Sequence, residues 1–507
     1  MKEANELVAE LILYAENNLY LDKEDSIYLT NLLLHRLNLR FPCDVKPEKA
    51  RFVTEIMDDI VDYAVEVGLT TNEERALFET EILGMVSPLP SKARALFDRC
   101  ASEHGTKAAT EGFFKFCKDV NYIRTRDIAK NIKWETTGEK GNIQITINLS
   151  KPEKDPKDIL RAKMEDSSKK YPKCMLCKEN EGFWGTFSLP ARQTLRILPI
   201  SLNNESWNLQ FSPYMYFDQH CIAFSSEHRP MNVSVNSFRA MLDFVELFPH
   251  YFIGSNAALP IVGGSILSHD HYQGGAKVLP MFTRGNKLTF KSAKYPSVEI
   301  GIVDWYNSVI RLTSSNREEL EKISEYILNF WNDYSDKDCG IIARDSEQHN
   351  AITPITTFES GKYTLNFILR NNRCDKEHPF GIFHPAERLH NIKKEGIGII
   401  EVMGLFILPG RLLGEMNMIK DYLLGNTDIV LDKLTNEDKL YKHIGMIKSL
   451  EQTLNGEKNE DKVGDAITNY INVACQDILF TTGVFKNTEE GEQAFVSMME
   501  KMGFTKC

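Results

Sequence analysis

The thirteen residues 263–275, GGSILSHDHYQGG, constrain this chain more than any other stretch of it. Glycine pairs close both ends, and between them His269, His271 and Gln273 alternate with Asp270 and Tyr272. In an extended strand alternate side chains share a face. The spacing therefore predicts a strand over 261–273 that places two imidazoles and one amide on a single surface. Polar groups in that density are costly to bury without partners, so the face is expected to be kept for a ligand. The flanking glycines allow backbone N–H groups to approach an anion closely.

The remainder of the chain supplies the scaffold. Ala50, Val53, Ile56, Met57, Ile60, Val61, Ala64 and Val67 recur at spacings of three and four, with Gly68 behind them as a stop, which predicts a core-facing helix. Similar patterns before Gly84 and Gly105 make residues 1–135 a helical segment. At Ile143, Ile145, Ile147 and Leu149 the period changes to two, the mark of a half-buried strand. The charged, proline-bearing stretch 151–173 reads as an exposed connection. From about 180 a pattern occurs twice: strand-like runs at 195–202, 207–211 and 221–224, then a helix through Phe238 and Leu247; and runs at 298–303 and 308–312, then a helix through Leu320 and Trp331 and a strand over 363–369. The apolar run 397–408 suits a buried strand, and the rest is helical. The prediction is an α+β protein with antiparallel sheets and packed helices: a helical segment at 1–135, two related halves at 136–280 and 281–425, and a helical tail at 426–507.

Composition sets the boundaries. With 42% hydrophobic residues among 507 the chain can bury a large core. Its 60 basic against 71 acidic residues leave a net charge of −11, a poor match for duplex nucleic acid or an anionic membrane. No apolar run is long enough to span a bilayer, and the acidic start is unlike a signal peptide; a cytoplasmic protein is expected. The ten cysteines show no disulfide framework. Cys174 and Cys177 form a C-x-x-C that could grip zinc, serve redox chemistry, or stand as two unpaired thiols. His228 and one histidine of the 269/271 pair could complete a Cys2His2 set.

The H-x-H-x-Q within SNAALPIVGGSILSHDHYQGG, the run Y-x-x-x-H-C-I-A-F ending at Phe224, and IKKEGIGIIEVMGLFILPGRL at 392–412 resemble galactose-1-phosphate uridylyltransferases of the longer, bacterial second type, in the histidine-triad (HIT-like) superfamily. The resemblance covers about 135–425. It implies two HIT-like halves and transfer of UMP from UDP-glucose to galactose-1-phosphate through a uridylyl-histidine. His271 would be the nucleophile, Gln273 a hydrogen-bond donor to the phosphoryl oxygens, and Asn256, Gly264 and Ser265 the nucleotide-contacting loop. Cys174, Cys177, His228 and His269 would hold a structural zinc. No second metal is expected, since Ala386 stands in FHPAERLH where an H-x-H would need a histidine, leaving His384 and His390; nor is an organic cofactor. Family precedent leans towards a homodimer. Arg196, Arg370, Asn371 and Asn372 end strands and are candidates for phosphate or sugar contacts. His35 and His443 read as surface or structural. Other readings are a related HIT-family nucleotidyltransferase or phosphorylase acting on another nucleotide, and a zinc-stabilised binding protein without turnover.

Overall fold

The structure is a computed structural model that describes residues 3–45, 47–150, 171–186, 189–264 and 266–507. Most of the charged connection, 151–170, and Ser265 lie outside the described residues. The chain forms two compact units, Met1–Ala129 with Pro152–Arg229, and Lys130–Lys151 with Pro230–Cys507.

Strands in chain order are β1 (Ile132–Gly138), β2 (Gly141–Asn148), β3 (Leu198–Leu202), β4 (Glu205–Phe211), β5 (Cys221–Ser225), β6 (Phe252–Gly254) and β7 (His271–Gly275). They continue as β8 (Asn286–Lys291), β9 (Glu299–Val303), β10 (Val309–Ser314), β11 (Asn350–Glu359), β12 (Lys362–Asn371), β13 (Leu405–Pro409) and β14 (Thr505–Lys506). The first unit holds the helices Ala4–Asn18, Ser26–Arg36, Val53–Glu66, Arg75–Val86 and Pro90–Asp119, together with the antiparallel strands β3, β4 and β5. The Val53–Glu66 helix buries Val53, Ile56, Met57, Ile60, Val61 and Ala64 of the residues whose spacing predicts it, while Ala50 lies before its start and Val67 is exposed just past its end. Gly105 is a kink rather than a stop, and helix continues past it to Asp119.

In the second unit the order β14-β8-β9-β10-β12-β11-β6-β7 is antiparallel throughout, and β1, β2 and β13 form a separate sheet in which β13 runs parallel to β2. Two helices cover one face of the larger sheet. Val235–Leu247 begins where the Ser237 hydroxyl accepts from the Ser234 N–H, and Phe238 from this helix packs on Phe367 of β12. Arg317–Asp333 begins at Asn316, whose side chain accepts from the Glu319 N–H. It buries Leu320, Ile323, Ile327 and Trp331, and the Trp331 indole donates to the Ala351 carbonyl at 2.9 Å. Burial of each such side chain contributes roughly 1.5–3 kcal/mol, so these two helices fix the sheet on which the histidine strand hangs. The molecule is therefore α+β with helical N- and C-terminal regions, as the sequence predicts. No helix among the described residues is long and apolar enough to cross a membrane.

Two strand expectations need correction. The apolar run 397–408 is divided: Ile399–Val402 is a helical turn and only Leu405–Pro409 is strand. The turn forms because Glu401 reaches back to accept from the Gly398 N–H at 3.0 Å, and Gly404 at φ 93° reverses the chain before β13. The strand expected over 261–273 starts only at His271, with turns and bends before it.

Candidate active site and metal-binding residues

Those turns explain the first glycine pair. At Gly263 a Cβ would lie 2.3 Å from the Ala257 carbonyl oxygen and 2.5 Å from that of Leu259, so the loop closes on itself only with glycine there. Gly264 lies against the Asn256 side chain. Asn256 in turn accepts from the Ile399 N–H through Oδ1 at 2.9 Å, fastening the loop to the 399–402 turn. His269 precedes the strand, so it and His271 are not strand neighbours two positions apart.

His271 opens β7 and is 6% exposed. Its Nδ1 lies 2.8 Å from the His269 carbonyl oxygen. A carbonyl only accepts, so Nδ1 carries the proton and Nε2 keeps its lone pair. Burial lowers the His271 pKa to about 4; the bond to the His269 carbonyl opposes this and the nearby His269 ring adds to it. The imidazole is thus a neutral base with a fixed tautomer.

The register carries this face across the sheet. Gln273 pairs with Gly254, Gly254 with Ile355, and Ile355 with Asn366. Side chains directly opposite share a face, as do residues two and four apart on a strand, so His271, Gln273, Thr353, Ile368 and Arg370 all belong to one side. Arg370 is buried, donates through Nη2 to the Ile397 carbonyl at 3.0 Å, and has no hydrogen-bond partner for Nη1 among the described residues. The buried Thr353 hydroxyl next to it on the same face is also without a partner among them. Burial lowers the Arg370 pKa to about 10, opposed by the Glu401 carboxylate. Three strand spacings of about 4.8 Å separate β12 from β7, so Arg370 stands about 14 Å across the sheet from His271.

The other arginine and amide candidates are placed differently. Asn371 points to the opposite face, donating to Asn350 Oδ1 at 2.7 Å and to the Ile342 carbonyl at 3.0 Å. Asn372 bonds His349 and the Pro260 carbonyl. Arg196, in the first unit, is 4% exposed and commits Nε to the Pro88 carbonyl and Nη1 to those of Gln193 and Leu195. Its guanidinium ties a helix start to the lead-in of β3, the structural alternative for a strand-end arginine. Of the strand-end candidates, only Arg370 faces the same way as His271.

The metal candidates are built locally in the first unit. Cys174 and Cys177 lie in a tight turn: the Cys177 N–H donates to the Cys174 carbonyl, the Leu176 N–H approaches Cys174 Sγ at 3.4 Å, and the Asn180 amide donates to both cysteine carbonyls. The two sulfurs are 3.6 Å apart and Cys177 Sγ is 3.2 Å from His228 Nδ1. Two thiolates about 2.3 Å from a tetrahedral ion stand roughly 3.8 Å apart, so the pair fits one soft cation. Burial pushes the Cys177 thiol up to about 11, a backbone hydrogen bond from Cys174 opposing and the Cys174 thiol adding to the rise; a cation would be needed to make it a thiolate at neutral pH. Within the first unit Cys174, Cys177 and His228 thus gather two thiols and one imidazole that could serve as ligands to a metal ion.

Sequence reasoning passed over Lys393 and Glu401. Both are nearly buried and paired at 3.1 Å, and Glu401 also faces Arg370 and holds Gly398. They lie in the IKKEGIGIIEVMG run that served only as a resemblance, where a lysine and a glutamate among apolar residues are the signal of a buried pair.

An α+β fold with a tautomer-fixed histidine on a sheet strand and a Cys/His metal set defines a class of proteins suited to covalent group transfer through imidazole. The chain matches the family models for the galactose-1-phosphate uridyl transferase N-terminal domain over residues 21–230 and C-terminal domain over residues 244–435. It is 44% identical over 506 residues to a galactose-1-phosphate uridylyltransferase of Fusobacterium nucleatum, covering 98% of each chain. With the proteins of the same name from Caldanaerobacter subterraneus and Bacillus subtilis it shares 42% over 515 residues and 41% over 489, covering 99% and 94% of those relatives and 100% and 94% of this chain. The chain belongs to the galactose-1-phosphate uridylyltransferase family. No solved structure matches it.

Proposed function

We propose that this protein is the UDP-glucose:galactose-1-phosphate uridylyltransferase that its family membership implies, working by double displacement on His271. The observation that carries the reading is the 2.8 Å bond from His271 Nδ1 to the His269 carbonyl, which leaves Nε2 with a lone pair. Nε2 attacks the α-phosphorus of UDP-glucose; the P–N bond forms as the bond to glucose-1-phosphate breaks. A phosphate oxygen of galactose-1-phosphate then attacks the uridylyl group, the P–N bond breaks, and UDP-galactose leaves with the imidazole restored. Gln273, two residues on and on the same face, donates to the phosphoryl oxygens as charge builds there. The loop of Asn256, Gly264 and Ser265 receives the nucleotide, Ser265 being outside the described residues. Arg370, with Nη1 unpaired among the described residues, is suited to a distal substrate group rather than the reacting phosphorus.

Zinc bound by Cys174, Cys177, His228 and His269 would be structural, since four protein ligands close a tetrahedral shell. The residues then fix the approach to β7. Ten free cysteines support a reducing, cytoplasmic setting, and a homodimer remains the family expectation.

Incubation with UDP-glucose labelled at the α-phosphate should leave acid-labile, base-stable label on the protein, absent from His271→Asn. A wild-type protein that takes up no label, or a variant labelled equally, rejects the reading. Release of label by orthophosphate instead of galactose-1-phosphate would mark a phosphorylase of the same superfamily.

A further inference from the structure

Within the second unit lies a cavity of about 460 Å³ that has no part in the chemistry above. Its walls come from two stretches, 377–390 and 480–488, the latter in the helical tail beyond both family models. The volume is typical of a small-molecule site. One carbonyl organises its chemistry. His384 Nδ1 lies 3.2 Å and His390 Nε2 2.9 Å from the Pro385 carbonyl oxygen. Both nitrogens must therefore donate, so the ring nitrogens left to accept are His384 Nε2 and His390 Nδ1. Burial lowers the His384 pKa, which keeps that ring neutral near pH 7. These nitrogens are acceptors and suit hydroxyl donors.

The 480–488 stretch supplies a cation. Lys486 donates through Nζ to the carbonyls of Thr481 and Gly483, each at 2.8 Å, and lies 5.0 Å over the Phe383 ring. An ammonium has three donors, so one remains. Burial lowers its pKa to about 8, and it stays predominantly protonated at neutral pH. Phe380, stacked on His384, and Phe480 offer apolar ring faces, and Asn487 and Thr488 add small polar groups. The cavity thus combines one buried cation for an anion, fixed acceptors for hydroxyls and aromatic faces for C–H groups, with the exposed carboxylates of Glu377 and Glu387 also in its lining.

We propose that this cavity binds a sugar phosphate at a site separate from the His271 strand, with the phosphate on Lys486 and sugar hydroxyls donating to His384 and His390. The site backs onto the loop that leads to β7. Ile261, held at φ 72°, lies with its Cγ2 3.3 Å from where a Cβ at Gly381 would stand, and at Gly396 a Cβ would lie 2.1 Å from the Ile261 carbonyl oxygen. An occupant would therefore press on the loop that precedes Gly263, while binding stands independently of transfer chemistry at His271.

The test uses full-length His271→Asn protein saturated with UDP-glucose, which fills the transfer site without turnover, titrated calorimetrically with galactose-1-phosphate. One equivalent per chain should bind, more tightly than inorganic phosphate or free galactose. Lys486→Met and His384→Gln, each added singly and checked for an unchanged melting temperature, should weaken it about tenfold or more, the loss of one charge-assisted or buried hydrogen bond. In an otherwise wild-type background both variants should still take label from UDP-glucose. Absence of binding to the saturated protein, affinity unchanged in both variants, or loss of labelling by both would overturn the proposal. Failure of the transfer reading would be seen separately, as wild-type protein that takes no label while the Lys486-dependent binding persists.

Discussion

A single hydrogen bond makes His271 a different reagent from His443 and His35. Its Nδ1 is held by a backbone carbonyl that cannot be mutated away, whereas His443 is fully buried and paired through Nε2 with Glu415 at 3.0 Å, a structural role. His35 lies exposed on its helix. The same distinction applies to charges. Lys393 and Glu401 form a nearly buried pair whose separation would strand one charge. Lys393→Met alone should lower unfolding stability by about 3–5 kcal/mol in urea titrations, and the double change Lys393→Met, Glu401→Leu by clearly less, because a buried pair replaced by apolar groups loses little. Equal losses in the single and double variants would show that the pair is not coupled.

Among the secondary structures, ends carry more information than middles. Asn316 caps the Arg317–Asp333 helix by accepting from the Glu319 N–H at 3.2 Å; Asn316→Ala should cost about 1 kcal/mol of stability without changing label uptake. Another helix, Arg411–Leu424, is clasped through Glu415, which meets Arg411 at 2.7 Å, Lys442 at 2.6 Å and His443 at 3.0 Å. Burial alone would raise the Glu415 pKa, but His443, Lys442 and Arg411 hold it down to about 2, below its ordinary 4.5. A depressed carboxylate stabilises above the unfolded value and loses that contribution as pH falls through the folded one. Stability should thus decline between about pH 4.5 and 2, and a Glu415→Gln variant should show a shallower decline in thermal unfolding measured across that range. An unchanged slope would assign the acid limb to other groups.

For the chain entire, the net charge of −11 opposes anionic ligands, and the groups that could answer it are local: Arg370, whose Nη1 has no partner among the described residues, Lys486 in its cavity, and the backbone of the glycine loop. Metal content is a property at the same level. Freshly purified protein should carry about one zinc per chain, and Cys174→Ser with Cys177→Ser should abolish it, as read by elemental analysis. Zinc unchanged in that variant would place the ligands elsewhere.

Periodicity was enough to read the helices Val53–Glu66, Val235–Leu247 and Arg317–Asp333 and the strands β2, β3, β4, β5, β9, β10 and β12, because an amphipathic repeat is a local property that burial merely realises; β1, β6, β8, β11 and β14 went unread. The histidine motif, its glycine borders and the C-x-x-C could be read for the same reason: their chemistry is written in residue type and spacing. Three features could not. The strand begins at His271 and not at 261, because the loop before it is shaped by contacts with Ala257, Leu259 and the distant Ile399. Arg370 and Asn371, adjacent in sequence, part to opposite faces of the sheet, and Arg196 turns to backbone carbonyls, because hydrogen-bond partners exist only after folding. The cavity of His384, His390 and Lys486 joins residues about a hundred positions apart. Local pattern encodes which face an element buries; long-range packing alone decides which polar atoms are left over on that face, and those atoms are where ligands bind.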